Sequence, residues 1–225
     1  MGYKAVSAFS PSPLKTWSLL TAVVLTLMVA SCSRGSGNED PAKAEKLCDG
    51  AVDSSARAAL AKVTGTSTVS STLGSASYTP QELRSRALEW GADGDPWKSN
   101  TERWFCSVGD RDGEKTLGIG SSWSLVSFTQ ASAEVDKGSR KYLRISPDTI
   151  IQRGGSGRVD VYFPCRIISE GKAGETYTLE VDLSTDISDA VDAQAEVNKV
   201  VLSVARWMSS KVGCANTPDI PTSAT

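Results

Sequence analysis

The apolar positions of this chain change period several times between Asp53 and Lys211, and each change marks an element. DSSARAALAKV, Asp53 to Val63, opens on residues that cap helices and stops at Gly65; with Val52 it sets Ala56, Ala59, Leu60 and Val63 on one helical face. Thr64 to Ser77 is rich in Ser, Thr and Gly and reads as loop or an irregular edge strand. Thr79-Pro80-Gln81-Glu82 is a capping box with proline at the first helical position, which predicts a second helix through Leu83, Ala87, Leu88 and Trp90 to Gly91. The GADGDPW segment that follows is turn-rich.

Period-two patterning then takes over. Trp104 to Val108, the polar turn GDRDGEK and Thr116 to Ile119 predict a hairpin. Alternation across Ser122 to Thr129 predicts a further strand, Gln130 to Lys141 reads as loop, and Tyr142 to Ile145 as a short strand ended by Pro147. A second hairpin, Arg158 to Ile168 and Thr176 to Leu183, repeats the aromatic-cysteine plan of the first. From Ser188 to Lys211, Val197, Val200, Val201, Val204, Ala205 and Met208 recur at helical steps that Val212 continues, the buried stripe of a long closing helix. The expectation is an α+β domain over residues 47–214: an antiparallel sheet built from two hairpins, with helices packed on one face. Residues 215–225 read as a disordered tail.

Before that domain the pattern is of another kind. Lys4 and Lys15 precede an apolar run from Trp17 to Ala30, and small residues lead to a cysteine, the layout of a secretory signal peptide over residues 1–31. The run is 14 residues long, short of the ~20 that a membrane-spanning helix needs. Val29-Ala30-Ser31-Cys32 resembles the lipobox of bacterial lipoproteins, which implies a thioether-linked diacylglycerol on Cys32 and cleavage after Ser31. Two acyl chains meet the two-signal requirement for stable anchoring. The next residues, SRGSGNEDPAKAEK, hold no large apolar side chain, so residues 32–46 read as lipidated cysteine plus flexible tether, spanning about 20 Å as a random coil.

Composition narrows the chemistry. Forty per cent of residues are apolar and 22 per cent charged, ordinary for a globular domain. Loss of Lys4 and Lys15 with the leader takes 24 basic residues to 22 against 26 acidic, a net charge of −4 that does not favour nucleic acid. There is no histidine, which excludes Ser-His-Asp and Cys-His catalysis and the common zinc sites, and the sequence points to no cofactor. Cys48, Cys106, Cys165 and Cys214 remain once Cys32 is assigned to lipid, an even set spaced too widely for redox or metal motifs, so two disulfides are expected. Cys48–Cys106 with Cys165–Cys214 is favoured, each tying a helix end to a strand; the nested Cys48–Cys214 with Cys106–Cys165 stays open.

Candidate site residues are few. Trp97, in a turn-rich loop beside Asp93 and Asp95, is a candidate ligand contact. Asp93, Asp95, Glu102, Asp110 and Asp112 are the carboxylates from which a glycan-cleaving pair would be drawn. Gly154-Gly155-Ser156-Gly157 lacks the lysine and hydroxyl of a phosphate loop and reads as a connector. Lys137, Arg140, Lys141 and Arg144 read as a solvated basic edge. Lipobox, tether, a cysteine before an alanine-rich helix and a closing helix ending in cysteine are together similar to the small actinobacterial lipoproteins of unknown function. The resemblance implies a location on the extracytoplasmic face of the cell membrane and assigns no functional residue. The expected role is a non-catalytic module that binds a partner protein or envelope glycan; the alternative is a carboxylate-dependent enzyme acting on envelope glycan.

Overall fold

A computed structural model of the chain describes residues 46–74, 79–93, 104–110, 116–155, 157–168, 174–187 and 193–224. They build an α+β domain whose elements run α1 (Ser54–Thr64), β1 (Val69–Leu73), α2 (Pro80–Asp93), β2 (Trp104–Asp110), β3 (Thr116–Trp123), α3 (Phe128–Asp136), β4 (Tyr142–Ser146), β5 (Thr149–Arg153), β6 (Val159–Ile167), β7 (Glu175–Thr185) and α4 (Gln194–Val212). The strands form one seven-stranded antiparallel sheet in the order β1-β2-β3-β7-β6-β5-β4. The two expected hairpins, β2–β3 and β6–β7, are its centre and meet along β3 and β7, where Ile119 lies opposite Leu183 and Trp123 opposite Leu179.

Strand alternation gives this sheet two unlike faces. Leu117, Ile119 and Trp123 of β3, Val159, Val161, Phe163 and Cys165 of β6, and Leu179, Val181 and Leu183 of β7 are buried in one core with the expected faces of α1 and α4. Val200, Val201, Val204, Ala205 and Met208 of α4 are fully enclosed, each valine or methionine contributing roughly 1.5–3 kcal/mol. Polar links fix the helices to one another and to the sheet. Asp53 caps α1 by accepting from the Ala56 N–H (2.9 Å) and pairs with Arg206 of α4 (2.8 Å). The buried Ser203 hydroxyl of α4 donates to the Ala51 carbonyl. On α2, the Trp123 indole donates to the Leu83 carbonyl (2.8 Å) and the Tyr177 hydroxyl to that of Ala87 (3.3 Å).

Both disulfides take the favoured pairing, Cys48–Cys106 and Cys165–Cys214, with Cα atoms 5.6 and 4.9 Å apart. Closing loops of 58 and 49 residues, each restricts the unfolded chain by about 4 kcal/mol in the loop-entropy account. Cys48 and Asp49 sit at φ +52° and +57°, a conformation non-glycine residues avoid, and the Cys48 end is held by its bridge and by its N–H on the Ser71 hydroxyl.

Two local expectations are corrected. Ser122 to Thr129 is not a separate strand: β3 runs on to Trp123, and the supposed loop after it contains α3, opened by a capping box in which Ser127 accepts from the Gln130 N–H and Gln130 from the Ser127 N–H. The short strand at Tyr142 stops before Pro147 as expected, and Pro147 lies in the turn to β5. The tail is also ordered through residue 224. Asn216 bonds both the Pro164 carbonyl and the Arg166 N–H of β6, Ser146 and Thr149 donate to the Asp219 carbonyl, Arg206 donates to Pro221, and Ile220 is 8 % exposed. Polar composition suggested disorder, but these side chains supply the backbone partners that a short segment needs to stay in place.

The glycine connector is the β5–β6 turn, and Gly157 takes φ +76° with the site of a Cβ only 2.9 Å from Thr185 Cγ2 and 3.0 Å from its carbonyl oxygen. Gly157→Ala is expected to lower unfolding free energy by about 1–3 kcal/mol, read by denaturant titration with disulfides intact; an unchanged midpoint would show that the turn relaxes.

Candidate functional site

The face of the sheet opposite α1 and α4 carries the chemistry. Register sets side chains in rows across the strands: Gly120, Asp182, Asp160, Gln152 and Tyr142 in one, and Ser122, Glu180, Tyr162, Ile150 and Arg144 in the next. The sequences RVDVY and LEVDL place every second residue here, so the alternation that sends Val159, Val161, Leu179 and Val181 inward sends Asp160, Glu180 and Asp182 outward. Outward is not exposed: Asp160 and Asp182 are 4 % and 9 % accessible and the Glu180 side chain 14 %.

Arg158 binds Asp160 and Glu180, its Nε 2.8 Å from Asp160 Oδ1 and an Nη 3.7 Å from Glu180 Oε1. The Ser124 hydroxyl donates to Glu180 Oε2 at 2.7 Å, and the Tyr162 hydroxyl to Gln152 Oε1 at 2.7 Å. Burial lifts the Glu180 carboxyl to about 7; Asp160 and Asp182 add to the rise, while Ser124 and Arg158 oppose it. Burial, with Glu180 and Asp160, raises the Tyr162 hydroxyl, and burial, with Glu134, Asp160 and Glu180, raises that of Tyr142. A carboxyl half-ionised near neutral pH beside two further acids is the usual makings of a general acid or a proton-linked contact. Among the described residues no group of three or more His, Cys, Asp or Glu side chains is placed to hold a metal ion.

Next to the carboxylate rows, Ser107, Gly118 and Ser184 line up across β2, β3 and β7. With Thr116, Thr185 and Asp186 they line a cavity of about 440 Å³. It is a shallow polar hollow, rich in hydroxyls and floored by a residue without a side chain.

The sequence-predicted contacts lie elsewhere. Trp97, Asp95, Glu102 and Asp112 fall outside the described residues, Asp93 ends α2 and Asp110 ends β2. Part of the basic edge is neutralised by α3, with Lys137 on Glu134 (2.7 Å) and Arg144 on Asp136 (3.9 Å). Residues 1–45, with Cys32, also lie outside the described residues. No helix among the described residues is long and apolar enough to cross a membrane.

Comparison with protein-family models, with curated proteins and with solved structures gives no match.

Glu180 links stability to pH with a sign opposite to that of most carboxylates. Its folded pKa lies above the ordinary 4.5, so the folded state holds the proton more tightly, and stability falls as pH rises from about 4.5 to about 7. The shift corresponds to roughly 3 kcal/mol. Glu180→Gln is expected to flatten this loss and to leave the variant more stable than the parent at pH 8, measured by urea midpoints across pH 5–8. Parallel profiles for the two proteins would contradict the assignment.

Proposed function

We propose that the chain is a lipoprotein held by Cys32 at the extracytoplasmic face of the cell membrane, and that its folded domain is a non-catalytic binding module whose contact surface is the polar sheet face. The observation that carries this reading is the two-faced sheet: one face is packed under α1 and α4, the other is set with carboxylates and hydroxyls beside the Ser107–Ser184 hollow. The hydroxyls lining the hollow can pair with a polyhydroxylated ligand through several modest hydrogen bonds, so envelope glycan is the favoured partner. The anchor is supported by cysteine use: all four cysteines of the domain are spent in two disulfides, which persist in an oxidising compartment and leave Cys32 for lipid.

Mass mapping of the membrane-fraction protein is expected to find an N-terminal peptide that begins at Cys32 and carries a diacylglycerol, and Cys32→Ala is expected to leave the membrane pellet. An unmodified Cys32 would remove the anchor from the proposal.

A second reading, a carboxylate-dependent enzyme on envelope glycan, is favoured by one observation, the raised Glu180 carboxyl near Asp160. One incubation separates the two. Co-sedimentation of the detergent-solubilised full chain with insoluble envelope glycan is expected to show binding that Ser184→Trp, which fills the hollow, weakens at least about tenfold, with no new reducing ends released. Release of reducing ends that Glu180→Gln abolishes would turn the module into an enzyme, and absence of both would direct the search to a protein partner.

A further inference from the structure

One end of the polar face is covered, and the cover is weakly held. After Trp123 the chain turns through Ser124–Ser127 into α3, which packs over β4 and β6 on the side away from the main core. No residue from Ser124 to Gln130 is fully buried, Leu125 is 41 % exposed, and Ala131 is the only buried residue of α3. Beneath it, Ile150 and Tyr162 are enclosed but stand apart from the main core cluster. What fastens the segment is polar. The Ser124 N–H donates to the Thr178 carbonyl (2.8 Å), the Phe128 N–H to the Thr178 hydroxyl (2.7 Å), and the Ser124 hydroxyl to Glu180. Both ends suit a hinge: Trp123 is pinned through its indole to α2, and Gly138, just past α3, is left-handed with open space around it.

We propose that Ser124–Asp136 is a proton-gated cover of the carboxylate rows, closed while Glu180 is uncharged and released when Glu180 ionises. The groups that face Glu180 make the closed, ionised state unfavourable. β7 contributes Asp182, β6 contributes Asp160 and the hydroxyl of Tyr162, β4 contributes Tyr142, and Arg158 supplies the cation that reaches both Glu180 and Asp160. On α3 itself, Glu134 adds negative charge near Tyr142, offset by Lys137, while Asp136 is paired with Arg144. The Ser124 hydroxyl and Arg158 favour the ionised carboxyl, but burial and the two aspartates outweigh them, and the added charge is relieved most readily by admitting water along the Ser124–Ser127 turn, where no residue is fully buried. As a gate to the ligand-contacting face this rests on the binding-module reading; as a local opening it does not.

Opening returns the Glu180 carboxyl to water and its ordinary range, so it releases a proton between that range and about 7. The opening constant then climbs by up to about tenfold per pH unit over that window and levels off above it. Amide exchange on the full chain without ligand, corrected for intrinsic rates, reads this directly at Ser124, Val126 and Phe128. The expected result is a rise in opening of about 40-fold between pH 5 and pH 7, absent in Glu180→Gln and not shared by Val161 and Val181 in the sheet centre. A flat profile, a rise spread through the sheet, or a rise that persists in Glu180→Gln would overturn the gate. Should that variant fail to fold, carbon NMR of the Glu180 carboxyl in the parent decides: a midpoint matching the exchange profile is expected, and an ordinary carboxylate midpoint would overturn it. A gate that opens while glycan binding fails would leave the cover standing and remove only its ligand.

Discussion

The register of β3 on β7 is the constraint on which the rest of the structure depends. It joins two hairpins that are each local into one sheet, pairing residues as far apart in sequence as Leu117 and Thr185. Because strand side chains alternate, a slip of one residue would turn Leu179, Val181 and Leu183 toward water and drive Glu180 and Asp182 under α4. The cost of burying two acids among valines sets the register as firmly as the gain from burying three aliphatic side chains. Core, helix docking and polar rows are consequences of that one alignment.

The disulfides secure the same alignment from outside. Each binds the outer strand of one hairpin, β2 or β6, to chain at the end of a helix: Cys106 to Cys48 ahead of α1, and Cys165 to Cys214 behind α4. α1 and α4 in turn pack on each other, joined by Asp53–Arg206 and by Ser203 at the mouth of α1. The two hairpins are therefore clamped through the helix layer as well as along β3 and β7. Neither bridge crosses the polar face, which is left to be held by hydrogen bonds and charge.

What the chain revealed in advance followed periodicity. The α4 stripe, the α1 face and both hairpins stand in the sequence as repeats of 3.6 or 2, and the structure keeps them. α3 escaped because Trp123, Leu125 and Ser127 mimic alternation, while its Ser127–Gln130 capping box lies inside a segment too polar to read as a packed helix. The carboxylate rows were half legible: RVDVY and LEVDL announce acids on one side of each strand, but only pairing brings Asp160 opposite Asp182 and Glu180 opposite Tyr162. Acids are conspicuous in sequence where they crowd an Asp-rich turn, and inconspicuous where they are spaced singly among valines. The tail misled for a related reason, since its order depends on Thr149, Pro164 and Arg166, 50 or more residues away.

Two explanations compete for the three acids, and their energetics differ. A buried polar group can be retained because it specifies register, at some cost in stability. That role needs at most one acid per strand, and it is already served by the aliphatic alternation on the inner face. Placing Asp160 directly opposite Asp182 goes further, since like charges across a strand pair are destabilising, and Arg158 is shared between Asp160 and Glu180. A sheet selected for stability alone would carry Thr or Val at these positions. An arrangement that keeps a carboxyl near half-ionisation beneath a cover with little buried apolar surface is one that local rules of stability oppose, and such violations gather at functional sites.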